Sequence, residues 1–144
     1  MISVLFVCIH NSARSQMAEE LLRRELGDRI KVCSAGLEPG ILNPIVVDVL
    51  LDAGIDIRSK ATRSVFEIFH TGKTFDYVIT VCDESSGERC PIFPGSVKRL
   101  HWSFPDPSAL SGSYEDKKAQ TTGIKEQIHT KVREFATELL QAME

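Results

Sequence analysis

Short uncharged runs alternate along this chain with segments whose apolar residues recur at helical spacing. The run Val4-Leu5-Phe6-Val7 predicts a buried strand, and residues 16–26 predict a helix directly after it. The same patterns predict further strands over residues 30–34, 75–81 and 97–102, and further helices over residues 43–51, 64–69 and 122–143. This alternation predicts an α/β fold in which a four-stranded parallel sheet carries helices on both faces.

The whole chain, residues 1–144, is predicted to form a single domain, because its length suits one hydrophobic core and no linker or repeat interrupts it. A formal net charge of -3 gives no general attraction to nucleic acid or to an anionic membrane. No apolar run approaches the roughly 20 residues needed to cross a bilayer, and the amino terminus lacks a signal-peptide pattern. We therefore expect a cytoplasmic protein with no nucleic-acid or membrane partner and a locally built binding site.

The segment from Cys8 to Ser15 carries the strongest indication of chemistry. It joins the first predicted strand to the first predicted helix, where backbone N–H groups and the helix dipole favour an oxyanion. The same positive end favours a reactive thiolate at Cys8, to which Ser15 can donate a hydrogen bond. Arg14 can bind an oxyanion through two parallel N–H bonds, and Asn11 suits the tight turn. The residues predicted to line the oxyanion site are Ile9, His10, Asn11, Ser12, Ala13, Arg14 and Ser15.

A second candidate is Asp106, which lies between Pro105 and Pro107 in the loop after the fourth predicted strand. Flanking prolines hold such a loop stiffly, which suits a general acid that must meet a leaving oxygen. Ligands of parallel sheets bind at the carboxyl ends of the strands, so Cys8, Cys82 and this loop are expected to share one site. The simpler alternatives are that Cys8 is a small buried hydrophobic residue and that Asp106 is an ordinary turn residue.

The four cysteines are Cys8, Cys33, Cys82 and Cys90. In a cytoplasmic chain, cysteines are more often reduced and chemically active than joined in structural disulfides. Zinc is the competing interpretation, but seven residues separate Cys82 from Cys90, and no neighbouring CxxC or HxxxH supplies the usual ligand spacing. Cys33 lies inside a predicted strand and is expected to pack in the core. We assign no metal and no cofactor.

At this point the residues resemble a known family. A Cys-x5-Arg-Ser loop near the amino terminus and an Asp-Pro after the fourth strand resemble the low-molecular-weight tyrosine phosphatase fold. The resemblance is closer still to the thioredoxin-coupled arsenate reductases built on that fold, because of the added pair Cys82 and Cys90. It covers nearly the whole chain and rests on residues 11–19, 34–36, 43–44, 81–83, 90–91 and 101–102.

The resemblance implies a reaction in which three cysteines act in turn. Cys8 attacks arsenate, which the loop and Arg14 hold, while Asp106 protonates the departing oxygen. Cys82 then attacks the Cys8 sulfur and arsenite leaves, after which Cys90 takes over the disulfide from Cys8 by attacking Cys82. Thioredoxin is the reductant that the resemblance implies, and phosphate or sulfate would mimic the substrate.

Two other functions stay open at the level of sequence. The first is a protein tyrosine phosphatase that forms a Cys8 phosphoenzyme, although Ser108, Ala109 and Leu110 follow Asp106-Pro107 where such enzymes place aromatic rings against the substrate phenol. The second is a non-catalytic module that binds an anion or senses redox state.

The resemblance also bears on metal binding. It places Asn11, Glu19 and Ser34 where reductases of this type can hold potassium. The remaining ligand of that site is an aspartate, which has at most Ser64 as its counterpart in this chain. Because that carboxylate is lost, no potassium is assigned.

Overall fold

The computed structural model describes residues 1–82 and 98–143. Within them, one sheet is formed by the parallel strands β1 (Ile2–Cys8), β2 (Ile30–Gly36), β3 (Tyr77–Thr80) and β4 (Lys98–His101). The order across the sheet is β2-β1-β3-β4, so β1 is central and Phe6 lies beside Ser34 on one side and Ile79 on the other. The predicted four-stranded parallel sheet is confirmed.

The described helices are α1 (Arg14–Leu26), α2 (Pro44–Asp52), α3 (Val65–His70) and α4 (Tyr114–Ala142). Successive residues of β1 face opposite layers, as the pleat of a strand requires. Val4 and Phe6 pack in the core shared by α1, α2 and α4, whereas Leu5 and Val7 pack with Val65 of α3. Burial on both faces explains why β1 is a continuous apolar run, and it confirms helices on both sides of the sheet.

Helix α4 begins at Tyr114, so the predicted start near residue 122 was wrong. Residues 114–121 are mostly polar and exposed, and they therefore lack the apolar periodicity on which the prediction rested. The start is set by a capping box, in which Ser113 Oγ accepts the N–H of Asp116 at 3.1 Å and Asp116 Oδ2 accepts the N–H of Ser113 at 3.3 Å. In the part of the chain that the structure describes, no helix has the length and apolar character that a membrane span needs.

Candidate active site

The loop between β1 and α1 is held from outside through its carbonyl groups. Backbone N–H groups of segment 37–43 donate to four of them, in pairs that run from Leu37 to Cys8, Glu38 to Ile9, Gly40 to His10 and Asn43 to Ser12, at 2.8–3.3 Å. In a planar trans peptide, the carbonyl and the N–H that follows it point in opposite directions. The N–H groups of residues 9, 10, 11 and 13 therefore turn toward the inside of the loop, an arrangement that can bind an oxyanion.

The sulfur of Cys8 is buried inside this loop and has two polar neighbours. Its Sγ accepts the backbone N–H of Asn11 at 3.1 Å and lies 2.9 Å from Ser15 Oγ. Asn11 Nδ2 donates to that same Ser15 oxygen at 2.8 Å, so the Ser15 proton is available to the sulfur. This arrangement can stabilise a negatively charged sulfur, which is the nucleophilic form of cysteine.

Helix α1 begins directly at the loop and leaves its amino end available. Ala13 is the residue before the helix, and it makes no side-chain capping bond. The first turn also contains no acidic residue that would neutralise the positive end of the helix dipole. Because α1 starts at Arg14, two residues before the predicted start, the arginine lies on the first helical turn next to Cys8.

Asn11 is the residue that organises the loop from within. Its backbone is left-handed, with φ of 55°, a conformation that asparagine tolerates better than most residues. Its Oδ1 accepts the backbone N–H of Arg63 at 2.9 Å and Nε2 of Gln16 at 3.1 Å. A backbone N–H can only donate, so the orientation of the Asn11 amide is fixed, and its Nδ2 donates to both Ser15 and Ser34.

The other predicted lining residues lie along the same loop. Ala13 and Ser15 are buried, Ile9 and Ser12 are half-buried, and the His10 side chain is exposed. The His10 Nδ1 lies 2.9 Å from the carbonyl oxygen of Glu38, which ties the imidazole to the outer segment. His10 can therefore contribute its backbone N–H to the loop while its ring supports the rim.

Gly36, at the end of β2, sets how closely the sheet approaches the loop. A β-carbon at this position would lie 2.7 Å from the nitrogen of Asn11 and 2.7 Å from the carbonyl oxygen of Ile9. Real side chains do not tolerate such distances to backbone atoms, so the close packing requires glycine. Residues 34–36 were among those that carry the family resemblance, but the sequence did not indicate this contact.

Arg14 connects the loop to the segment that carries Asp106. Its guanidinium is buried, Nη1 donates to the carbonyl of Phe104 at 3.1 Å, and Nη2 lies 3.8 Å from Asp106 Oδ2. The Asp106 side chain is 29% exposed, and its Oδ1 accepts the N–H of Ser108 at 2.9 Å. The structure thus brings Cys8, Arg14 and Asp106 to one edge of the sheet, as the topology predicted.

The segment that carries Asp106 is anchored by aromatic packing as well as by its prolines. Trp102 directly follows β4, and its ring centroid lies 5.6 Å from that of Phe6 and 5.5 Å from that of Phe135. Phe104 is also buried in the same core. These contacts fix the backbone on both sides of Ser103, which keeps the Phe104 carbonyl against Arg14.

Cys82 lies just beyond β3, at the same edge of the sheet as Cys8. The preceding residue, Val81, donates its N–H to the carbonyl of Val7 at 2.9 Å, and Cys82 is buried. Cys82 is disulfide-bonded, whereas Cys8 and Cys33 are free. Cys33 packs against the core layer below α3, in agreement with its predicted role. Cys90 lies outside the described residues.

Below the loop, four charged side chains form a cluster that the sequence patterns did not indicate. Lys60 Nζ lies 3.1 Å from Glu19 Oε1 and 2.8 Å from Glu20 Oε1, while Arg23 reaches Glu19 Oε2 at 2.5 Å. Burial raises the pKa of Glu20, but the hydrogen bonds and charges of Lys60 and Arg23 outweigh it and leave that pKa below its usual value of 4.5. Burial lowers the pKa of Arg23, and the two glutamates outweigh that effect and raise it.

The residues beneath the loop do not fit a potassium ion. Asn11 turns its NH2 group toward Ser34, and its carbonyl oxygen is already taken by Arg63 and Gln16. The oxygen of Glu19 that faces Ser34 is 3.1 Å from the Lys60 ammonium. A further cation would meet the hydrogen-bond donors of Asn11 and the positive charge of Lys60 there. Over residues 1–82 and 98–143, no group of three or more His, Cys, Asp or Glu side chains is arranged to hold a metal.

Two contributors to the site, Lys60 and Arg63, were missed from the sequence. Both lie in the irregular segment between α2 and α3, where neither helical nor alternating periodicity is present. Only the fold brings this segment beneath the loop, so no local signal could have identified them.

Comparison with known proteins agrees with this geometry. The family model of low molecular weight phosphotyrosine protein phosphatase matches residues 3–144. An arsenate reductase of Bacillus licheniformis is 40% identical over 136 residues, which are 93% of this chain and 94% of that protein. A solved structure described as an arsenate reductase in the phosphate binding state has a TM-score of 0.77 at 27% identity and covers 96% of this chain and 98% of its own.

A second solved structure is a thioredoxin-dependent arsenate reductase of Corynebacterium glutamicum, with a TM-score of 0.71 and 28% identity. The match covers 99% of this chain but spans 63% of that longer protein. The family match extends over almost the full length of the sequence, and the Bacillus relative is similar over nearly all of it. The chain therefore belongs to the low molecular weight phosphotyrosine protein phosphatase family.

Proposed function

We propose that this protein is an arsenate reductase that transfers electrons through Cys8, Cys82 and Cys90 in turn and is regenerated by thioredoxin. The single observation that carries the proposal is the environment of Cys8. Its sulfur lies 2.9 Å from Ser15 Oγ and accepts the N–H of Asn11 within a loop whose other N–H groups turn inward. The arsenate reductases among the relatives support the substrate, since arsenate and phosphate share their shape and charge.

In the first step, the thiolate of Cys8 attacks arsenic in a bound arsenate. A sulfur–arsenic bond forms and an arsenic–oxygen bond breaks. The departing oxygen is a hydroxyl group of the arsenate, which takes a proton from Asp106 and leaves as water. Arg14 and the inward N–H groups hold the remaining oxygens. The distance of 3.8 Å between Arg14 Nη2 and Asp106 Oδ2 supports these two roles, because it places the oxyanion-binding group beside the general acid.

In the second step, the thiolate of Cys82 attacks the sulfur of Cys8. A sulfur–sulfur bond forms, the sulfur–arsenic bond breaks, and its electron pair stays on arsenic, which leaves as arsenite. Cys90 then attacks Cys82, so that Cys8 is released as a thiolate and a Cys82–Cys90 disulfide results. The position of Cys82 beside the end of β1 supports the first transfer.

A dithiol reductant completes the cycle by reducing that disulfide to two thiols. The thioredoxin dependence of the Corynebacterium relative supports thioredoxin in this role. Because Cys82 is disulfide-bonded in this structure, a reductant must open that bond before the cycle begins. We place this chemistry in the cytoplasm, where thiols are kept reduced.

The test follows NADPH consumption after arsenate is added to the protein with thioredoxin, thioredoxin reductase and NADPH. Cys8→Ser should abolish turnover, Cys82→Ser should release no arsenite, and Cys90→Ser should release arsenite in a single turnover and then stop. Cys33→Ser, which removes a free cysteine that packs in the core, is the matched control and should retain activity.

The second candidate function is that of a tyrosine phosphatase. Measuring aryl-phosphate hydrolysis in parallel distinguishes it from arsenate reduction. It requires Cys8, Arg14 and Asp106 but neither Cys82 nor Cys90. Full multiple-turnover arsenate reduction by Cys82→Ser or Cys90→Ser would overturn the relay. Rapid aryl-phosphate hydrolysis without arsenate turnover would overturn the reductase function itself.

A further inference from the structure

A continuous chain of hydrogen bonds leads from the sulfur of Cys8 to the charge cluster below the loop. Asn11 Nδ2 donates one hydrogen to Ser15, which contacts Cys8, and its other hydrogen to Ser34 Oγ at 2.9 Å. Ser34 Oγ in turn donates to Glu19 Oε1 at 2.5 Å. Each of these atoms is buried, so water does not replace the partners when one is lost.

The directions of the hydrogen bonds from Asn11 through Ser34 to Glu19 are determined. The Asn11 amide has two hydrogens and uses both, so Ser34 must accept from Asn11 and can donate its own proton only to Glu19. Glu19 must therefore accept this hydrogen bond. Its two oxygens receive Ser34 and Lys60 on one side and Arg23 on the other.

A carboxylate in this position needs positive partners, because the Glu19 side chain is only 3% exposed. Lys60 is the more enclosed of its two cations, with 19% of its side chain exposed against 44% for Arg23. Lys60 also contacts the oxygen that Ser34 uses, whereas Arg23 contacts the other oxygen. The ammonium of Lys60 is thus the charge that directly supports the Ser34 end of the chain.

We propose that Lys60 is a positioning residue for Cys8: its ammonium holds Glu19 Oε1 in place, and Glu19 in turn holds Ser34 and Asn11 in the orientation that supplies hydrogen bonds toward the sulfur. Without Lys60, the carboxylate of the buried Glu19 lacks its positive partner at Oε1. The less compensated charge opposes the thiolate by repulsion. Glu19 is then also no longer held against Ser34, the acceptor on which Asn11 relies.

This inference deepens the proposed function, since it concerns the nucleophile of that reaction. Its test does not depend on arsenate turnover. The rate at which iodoacetamide alkylates Cys8 is measured as a function of pH by mass spectrometry of the Cys8 peptide. Lys60→Met should move this profile to higher pH and slow alkylation at neutral pH about tenfold, the factor that corresponds to one pH unit. Lys60→Arg should restore most of the rate, because it returns the positive charge.

The control is Lys118→Met. Lys118 Nζ lies 2.8 Å from Asp52 Oδ2, in an ion pair outside the loop, so its removal should leave the profile unchanged. Ser34→Ala interrupts the chain of hydrogen bonds without altering any charge, and it should shift the alkylation profile in the same direction as Lys60→Met. It also carries the test if Lys60→Met does not fold. A purely structural role of Lys60 would lower the free energy of unfolding without moving the alkylation profile, and that result would overturn the proposal. If arsenate reduction failed in the wild type while the profile still shifted, only the proposed function would fall.

Discussion

Arg14 Nη2 lies 3.8 Å from Asp106 Oδ2, while Nη1 of the same guanidinium donates to the carbonyl of Phe104 at 3.1 Å. One buried side chain therefore connects the helix that borders Cys8 to the loop that carries the proposed general acid. The two proposed catalytic groups come from elements far apart in the sequence, yet their relative position is set by a direct contact. This arrangement allows the acid to be in place before substrate binds.

Replacing Asp106 by Asn is expected to lower kcat for arsenate by roughly 10²–10⁴-fold, the usual contribution of a general acid. Asparagine can still accept the N–H of Ser108, so the local turn and the midpoint of thermal unfolding should stay close to wild type. The matched control is Asp56→Asn, because Asp56 is exposed and bonds to its sequence neighbour Arg58. A kcat within twofold of wild type for the Asp106 variant would remove Asp106 from the mechanism.

The sheet and most helices follow from local patterns, and the exceptions have a physical cause. β1 is buried on both faces and therefore appears in the sequence as an uncharged run. The first turns of α4 are exposed and polar, so they carry no apolar periodicity, and their helical start depends on the capping bonds between Ser113 and Asp116. A capping box is a weak signal when no apolar run follows it closely.

Some residues of the candidate site were likewise predicted from local sequence, and others were not. Cys8, Arg14 and Asp106 were predicted because their residue types have few uses at the carboxyl ends of parallel strands. Lys60 was not, because it reaches Glu20 across 40 positions of sequence and from an irregular segment. Local pattern reports on a residue's neighbours along the chain, and a contact of this kind is created only by the tertiary fold.

Gly36 offers a test of how tightly β2 supports the loop. Gly36→Ala should place a methyl group 2.7 Å from backbone atoms of Asn11 and Ile9, which forces the loop to shift. We expect a loss of arsenate turnover and of phosphate binding, together with a lower midpoint of thermal unfolding. The control is Gly123→Ala in α4, where a β-carbon meets no atom within 4 Å and alanine should stabilise the helix by about 1 kcal/mol. Full activity of the Gly36 variant would mean that the loop can adjust without losing its function.

The lowered pKa of Glu20 predicts how the charge cluster makes the stability of the protein depend on pH. Burial raises its pKa, but the contacts with Lys60 and Arg23 outweigh that effect and leave it below 4.5. A folded-state pKa below the unfolded value means that the ionised glutamate stabilises the protein above about pH 4.5, and that this contribution disappears as pH falls through the lowered folded-state pKa. The difference in free energy of unfolding between wild type and Glu20→Gln, measured by urea unfolding, should therefore be largest near neutral pH and shrink below pH 4.5.

The comparison variant for this experiment is Glu126→Gln. The pKa of Glu126 is also lowered, by its contact with Lys125, but its side chain is 59% exposed. Salt screens exposed pairs far more than enclosed ones, so 0.5 M NaCl should remove the effect of Glu126 and leave most of the effect of Glu20, whose side chain is 14% exposed. If salt removed both effects equally, Glu20 would be acting as an ordinary surface charge. The contact between Lys60 and Glu20 would then contribute little to holding the segment below the loop.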